Sequence, residues 1–453
     1  MKKLISTPRT TFFLAAVATL LVTLFLSSPV FSQTETVLHH FQTDNMGTNP
    51  NALIFDTAGN LYGTATGNCI ANGATCGVVF ELTPNSRGWQ YRVLYAFTGG
   101  SDGGSPYGGL VFDAAGNLYG TTYEGGVTNC IRGNVAYGCG VVFKLSPGSQ
   151  GWTESVLYTF TGGSDGGSPI STLIFDAAGN LYGTTVYGGD TSAHACTNGN
   201  GSGCGVVFEL SPTSSGGWTQ SVIHSFAAGK DGFNPFAGLT SDAAGNLYGT
   251  TAYGGDPNAC FGTGCGTVFK LVSANGTWTE TVLYAFTGKN GAYPTDGLIL
   301  DAQGDLFGNT TNGGGGAVNL CGVAGCGVAF ELSPSSGAAW KETVLHRFGG
   351  IVGKYPQGNL VFDAAGNLYG TTLQDGAPGS CMGRGCGAVF ELTPGTGGKW
   401  TAIPLHDFKH TDGANPGSGV IFGAGNTLYG TTAGGGKGGY GTVFQLTPAA
   451  AGQ

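Results

Sequence analysis

Charged side chains are scarce. They make up 9% of the 453 residues, against roughly 25% in an average soluble domain. Bases number 17 against 26 acids, so the cationic excess that holds nucleic acid or anionic lipid is lacking. Beyond the first 32 residues no apolar run approaches the ~20 residues a helix needs to cross a bilayer. No stretch keeps a 3.6-residue apolar period between caps, which argues against a helical body. Catalytic signatures are missing as well. There is no phosphate loop, dinucleotide fingerprint, Gly-x-Ser-x-Gly elbow or metalloprotease motif.

What the chain has instead is glycine and repetition. Gly numbers 87, yet without a Gly-X-Y period and alongside 11% aromatics, which excludes collagen and argues against simple disorder. The block Gly-Asn-Leu-Tyr-Gly returns at Tyr62, Tyr119, Tyr182, Tyr248, Phe307, Tyr369 and Tyr429, as Gly-Asp-Leu-Phe-Gly at Phe307 and with Thr427 inserted in the last copy. Seven copies at a regular spacing mean seven similar structural units rather than separate domains.

Residues 1–32 read as a secretory signal: Lys2, Lys3 and Arg9 lead an apolar run from Phe12 to Leu26, and Val30 and Ser32 offer a cleavage pair before Gln33. Without those three bases, 14 basic residues face 26 acidic ones, a balance of −12. The expected division is a signal at 1–32, one body at 33–449 and a short tail at 450–453. Secretion, to the medium or the cell envelope, is the expected localisation.

The 12 Cys fit that destination. They form six local pairs, Cys69 and Cys76, Cys130 and Cys139, Cys196 and Cys204, Cys260 and Cys265, Cys321 and Cys326, and Cys381 and Cys386. Each pair precedes a Gly-x-Val/Ala-Phe stretch, and the seventh unit replaces its pair with a Gly-rich run, Gly434 to Gly441. An even count in pairs that appear and vanish together indicates disulfides. Zinc is disfavoured, because the gaps vary and no His stands at a matching place.

Each unit holds four short runs rich in Val, Phe, Tyr and Thr, bounded by Gly, Pro and Asp. These are strands. Four strands repeated seven times predict an all-β fold, a seven-bladed β-propeller of antiparallel blades. The ends of the chain add to this. Thr34 to Phe41 matches a fourth strand such as Thr279 to Phe286, whereas Gly441 to Pro448 is a third strand with no fourth after it. The first segment is therefore expected to complete the last blade, three strands plus one.

The core Phe-Asp-Ala-Ala-Gly-Asn-Leu-Tyr resembles the blade signature of NHL-type propellers. Its continuation through Tyr-Gly-Thr-Thr and Gly-Gly to Gly-x-Val-Phe-Glu-Leu-Ser/Thr-Pro resembles the Gloeobacter/Verrucomicrobia (GloVer) tandem repeat over residues 34 to 449. That resemblance implies an exported bacterial protein of unknown activity, often with a C-terminal sorting anchor. No anchor precedes Gln453, so release or retention by binding is expected instead of covalent sorting.

In such a blade the second-to-third and fourth-to-first connections share one face of the disc. Here that face carries the long Cys-bearing loops and the variable inter-blade segments, so function is expected there, around the mouth of the central channel. The segments contain Asp102, Asp165, Asp231, Asn290 and Asp412, while Met46 and Val352 stand near that place in the other two. Asx-Gly forms turns. The same ring could hold Ca²⁺ through its oxygens, and these five residues are the candidate ligand-binding set. Asp56, Asp113, Asp176, Asp242, Asp301 and Asp363 open tight turns on the opposite face, where turn stabilisation is expected.

His39, His224, His346 and His406 share a strand position with Tyr95, Tyr158 and Tyr284, a packing slot; His40, His194 and His410 form no catalytic spacing. Trp89, Trp152, Trp218, Trp278, Trp340 and Trp400 open fourth strands, where packing between blades is expected over sugar stacking. No catalytic, metal or cofactor residue is assigned. The resulting expectation is a monomeric, secreted binding module for a polysaccharide or an envelope protein, with no nucleic acid partner and no membrane span after signal cleavage. An extracellular lyase, lactonase or glycoside hydrolase working at the channel mouth is the alternative.

Overall fold

Phe208 lies on the third strand of its sheet, and its ring covers a bare Gly183 on the second strand. That pairing recurs in each of the seven blades. The computed structural model describes residues 33–42, 47–67, 76–127, 130–132, 135–190, 196, 203–315, 321–335, 339–375 and 381–447. The signal segment, Met46, Cys69, His194 and the tail lie outside them.

Seven antiparallel sheets of four or five strands, and a separate two-stranded ribbon of Ile131–Arg132 with Val135–Ala136, are described in the unit that begins at Gln33. Blade 1 consists of Thr48–Phe55, Leu61–Thr66, Val78–Asn85 and Gly88–Ala96, paired in that order. The remaining blades repeat the pattern, and blade 3 splits its first strand into Gly167–Pro169 and Ile174–Phe175. The protein is a seven-bladed β-propeller. Thr34–His40 pairs antiparallel with Thr442–Thr447, with Val37 opposite Phe444 and His39 opposite Val443. The first described strand therefore lies in the same sheet as the last. Among the described residues, no helix is long and apolar enough to cross a membrane.

The repeat has a packing reason. A Cβ on the central Gly of the second strand would stand 2.5–2.8 Å from the Cζ of the third-strand Phe in all seven blades, as at Gly183 and Phe208. Only glycine leaves room for the ring. Gly183→Ala is expected to cost about 1–3 kcal/mol through overpacking, read as a lower denaturant midpoint at unchanged slope. An unchanged midpoint would refute the close approach.

Blades are joined by aromatics. The Phe that ends each outer strand inserts into the next blade, as Phe160 does against Phe208 at 5.1 Å and Phe286 against Phe330 at 5.1 Å. Phe41 performs the same step from blade 7 into blade 1, 5.4 Å from Phe80. Trp152 lies 6.2 Å from Tyr62 and Trp218 6.2 Å from Tyr119, each across a blade boundary. Trp89, Trp278 and Trp340 meet the Tyr of the repeat block in the preceding blade in the same way, and Trp400 packs against the cluster that holds Phe307.

Candidate functional site

The inner strands surround a cavity of about 370 Å³ lined by residues from all seven blades. Its wall is held by a hoop of inter-blade hydrogen bonds. Thr64 donates to the carbonyl of Gly108 (3.0 Å), Thr121 to Ser171 (3.1 Å) and Thr184 to Ala237 (2.9 Å). Thr250 donates to Asp296 (3.3 Å), the Asn309 amide to Gly358 (2.9 Å) and Thr431 to Asn51 (3.1 Å). Blade 6 departs: Thr371 donates to Gln357 of its own blade, and Asn359 bridges Gly419 in parallel. The Thr after each repeat block therefore mostly serves the next blade rather than its own.

The rim is fixed from above. The residue before each rim proline takes positive φ: Asn49, Ser105, Ser168, Asn234, Tyr293, Tyr355 and Asn415. That conformation is uncommon for residues other than glycine and is disfavoured sterically. It is held because the N–H of each donates to a Cys-loop carbonyl, such as Ser168 to Cys139 (2.7 Å) and Asn234 to Cys204 (2.9 Å). In blade 7, where no Cys pair exists, Asn49 finds the carbonyl of Tyr440 (2.9 Å). Disulfides join Cys130 to Cys139, Cys196 to Cys204, Cys260 to Cys265, Cys321 to Cys326 and Cys381 to Cys386. The staple, the left-handed residue and the channel wall form one rigid sequence of contacts.

One carboxyl lines this cavity among the described residues: Asp296 of blade 5. Its Oδ1 accepts the N–H of Gly358 in blade 6 at 2.8 Å. Part of the residue faces the lumen, but Oδ2 is closed off from solvent and accepts no hydrogen bond. Burial pushes its pKa up to about 7, and the Gly358 N–H and Thr295 hydroxyl pull it back only in part. Aromatic rings stand beside the mouth. Tyr107 lies 5.6 Å from Tyr123, while Tyr253 stacks on Phe233 and meets Tyr293 at 5.3 Å. Tyr107 and Phe236 line the cavity itself.

The five candidate Asx residues sit one to a blade boundary, each bound to its own turn. Asp102 accepts the Thr98 N–H (2.8 Å) and the Tyr95 hydroxyl (3.1 Å), and Asp165 does the same with Thr161 and Tyr158. Asp231 pairs with His224 at 3.1 Å and Asp412 with His406 at 3.1 Å. Asn290 accepts the Thr287 N–H (3.2 Å) and its amide approaches Glu342. On the opposite face Asp176 accepts the N–H groups of Ala178 and Asn180 and the Tyr182 hydroxyl, and four other turn Asp residues repeat this.

Residue-by-residue reading missed Asp296, the threonine hoop and the left-handed rim. The hoop had a signal, the Thr that follows most copies of the block. Asp296 had one too, since the corresponding position in the other blades is Asn51, Gly108, Ser171, Ala237, Gly358 or Ser418, none of them charged.

The profile of the Gloeobacter/Verrucomicrobia repeat matches residues 23–196, 130–378 and 316–452. A search of curated proteins finds no match. Among solved structures, the chain superposes on the extracellular domain of BT4673 from B. thetaiotaomicron, described as a putative one component system, with a TM-score of 0.51 at 9% identity. The match covers 90% of this chain but 40% of that one. At this identity it shows the fold alone. A glucose dehydrogenase-type oxidoreductase from Thermus thermophilus (TM-score 0.40, 15% identity, 91% and 99% covered) follows. So does the PQQ-bound aldose sugar dehydrogenase of Streptomyces coelicolor (0.38, 12%, 92% and 98%). Scores this low bear on nothing below.

Proposed function

The chain belongs to the Gloeobacter/Verrucomicrobia repeat family, and from that premise we propose that it is an extracellular binding module that captures a polysaccharide at the channel mouth. The observation that carries this reading is the rim. Seven blades present backbone groups and small hydroxyls, tyrosine faces stand beside them, and disulfide-held turns fix the geometry before any ligand arrives. Sugars are recognised by such a combination, with apolar faces on rings and hydroxyls on fixed donors and acceptors. A rigid rim loses little entropy on binding. The local disulfides agree with export to an oxidising compartment. A Ca²⁺ contribution from the Asx turns, and an envelope protein as partner, belong to the same proposal as further outcomes of its test.

The test is a glycan array followed by calorimetry on the purified protein, with and without Ca²⁺. Capture of a neutral glycan is expected, weakened at least tenfold by Tyr107→Ala or Tyr253→Ala and little affected by Tyr95→Phe at the periphery. No captured glycan, or capture indifferent to the rim tyrosines, refutes the reading. One observation favours an enzyme instead: the carboxyl of Asp296, with Oδ2 unpartnered and its pKa pushed up to about 7 by burial, suits a general acid or base. Turnover of a lactone or polymer that vanishes in Asp296→Asn would replace binding with catalysis.

A further inference from the structure

At the blade boundaries formed by described residues three positions meet: the His or Tyr of one outer strand, the inter-blade residue that is mostly Asx, and the residue two after the Trp position on the next outer strand. The third is Glu154, Gln220, Glu280 or Glu342 where an Asx is present. Where the segment carries Val352 or Met46 in place of Asx, the third residue is Ala402 or Tyr91. The second and third positions therefore change from polar to apolar together while the first stays His or Tyr, which links the three as one set.

At the seam between blades 6 and 7 the set is His406, Asp412 and Glu35, the last on the closing strand. From these contacts we propose that the seam binds a divalent transition-metal ion through the imidazole of His406 and the carboxylates of Asp412 and Glu35. Among the described residues this is the one group of three such side chains whose ligand atoms all lie within 4.8 Å of one another. His224, Asp231 and Glu280 repeat the residue types between blades 3 and 4 but not that spacing. His406 Nε2 stands 3.1 Å from Asp412 Oδ2, while Oδ1 of Asp412 takes the Lys409 N–H at 2.7 Å. His406 is held edge-on to Phe408 at 4.8 Å, and the Asp412 carbonyl accepts the Thr442 hydroxyl at 3.0 Å. Independently of this clustering, Glu35 Oε1 is closed off from solvent and has no hydrogen-bond partner.

The donor set selects the ion. One nitrogen and two carboxylates suit Zn²⁺, with Co²⁺ as its spectroscopic stand-in, whereas Ca²⁺ prefers an all-oxygen shell. Ligand atoms about 2.0–2.2 Å from a zinc ion lie roughly 3.5 Å apart, so a rotamer adjustment of Glu35 closes the site. At three other boundaries Tyr95, Tyr158 or Tyr284 replaces His, and the phenol of the first two donates to Asp. Those sets lack the nitrogen. Because Glu35 lies on the closing strand and His406 on the outer strand of blade 6, the ion would lock the seam. This inference does not depend on the polysaccharide reading.

The test uses the purified protein, stripped with chelator and titrated with ZnCl₂ by calorimetry. One equivalent is expected to bind with a micromolar or tighter Kd, and Co²⁺ to give a visible absorption band that Zn²⁺ bleaches. Glu35→Gln and His406→Gln should each weaken binding at least tenfold while keeping the far-UV dichroism of the parent; Glu154→Gln should not. Absent binding overturns the proposal, as does binding that survives both seam variants or is lost equally in Glu154→Gln. Should His406→Gln fail to fold, Glu35→Gln decides alone, being isosteric.

Discussion

Phe41→Ala is expected to destabilise the protein by about 3–5 kcal/mol, the range for emptying a buried aromatic site. Phe41 is fully buried although it directly follows the first described strand. Its ring meets Phe80 at 5.4 Å and Tyr91 at 5.7 Å in blade 1, and its N–H donates to Gly441 in blade 7 at 3.0 Å. The variant therefore loses core packing and weakens the joint that closes the ring. Phe286→Ala, at an internal boundary, is the matched control. Both variants should lower the denaturant midpoint, but only Phe41→Ala should broaden the transition as blades 7 and 1 part. Deleting Thr34–His40 should be worse, on the order of 5 kcal/mol or more, since it also strips the partner from the edge of Thr442–Thr447. A Phe41→Ala midpoint within error of the parent would refute the idea that this residue seals the wheel.

Much of that joint could be read from the chain. Phe41 stands in the same place after Val37-Leu38-His39-His40 as Phe286 does after Val282-Leu283-Tyr284-Ala285, so a displaced fourth strand is visible without coordinates. The Gly-Asn-Leu-Tyr-Gly block was legible for the same reason: Gly183 and Tyr182 do the same packing work in each blade, so they recur. The site was less legible because it depends on departures from the repeat. Asp296 matters by being the carboxyl where its equivalents are uncharged, and it acts on Gly358, 62 residues away. Glu35 and His406 meet from opposite ends of the chain, so neither spacing nor propensity could bring them together. The positive φ of Asn234 is likewise set by the carbonyl of Cys204, a tertiary contact that overrides the local preference of a residue before proline.

Stability should fall as pH rises from about 5 to 8, the reverse of a protein rich in paired carboxylates. Burial pushes Glu154 up to about 7, with Asp102 adding to the rise. Burial also pushes Glu280 up to about 7, with Asp231 adding and His224 opposing. Asp296 moves the same way. For each, the folded state holds its proton more tightly than the unfolded chain. Its favourable contribution is complete below the unfolded pKa, 4.5 for the glutamates and 3.8 for the aspartate, and is lost as pH rises to about 7, where the folded group ionises. Both glutamates are partly exposed, so each is worth roughly 1 kcal/mol after solvent screening rather than the full value of its shift. The acid side has the opposite sign. In Asp56, Asp113, Asp176, Asp242 and Asp363 burial resists ionisation, but hydrogen bonds from the turn Asn, the Tyr hydroxyl and backbone N–H groups outweigh it and lower each pKa. Their contribution is present above the ordinary Asp value and is lost as pH drops through the folded one. The two limbs leave a maximum near pH 4.5–5, and melting temperatures across pH 3–9 should trace it. Glu154→Gln and Glu280→Gln should flatten the high-pH limb while leaving the acid limb in place. A melting temperature that is level or climbing between pH 5 and 8 would mean that these carboxyls ionise freely at the blade boundaries, and that their orphan oxygens are reached by water.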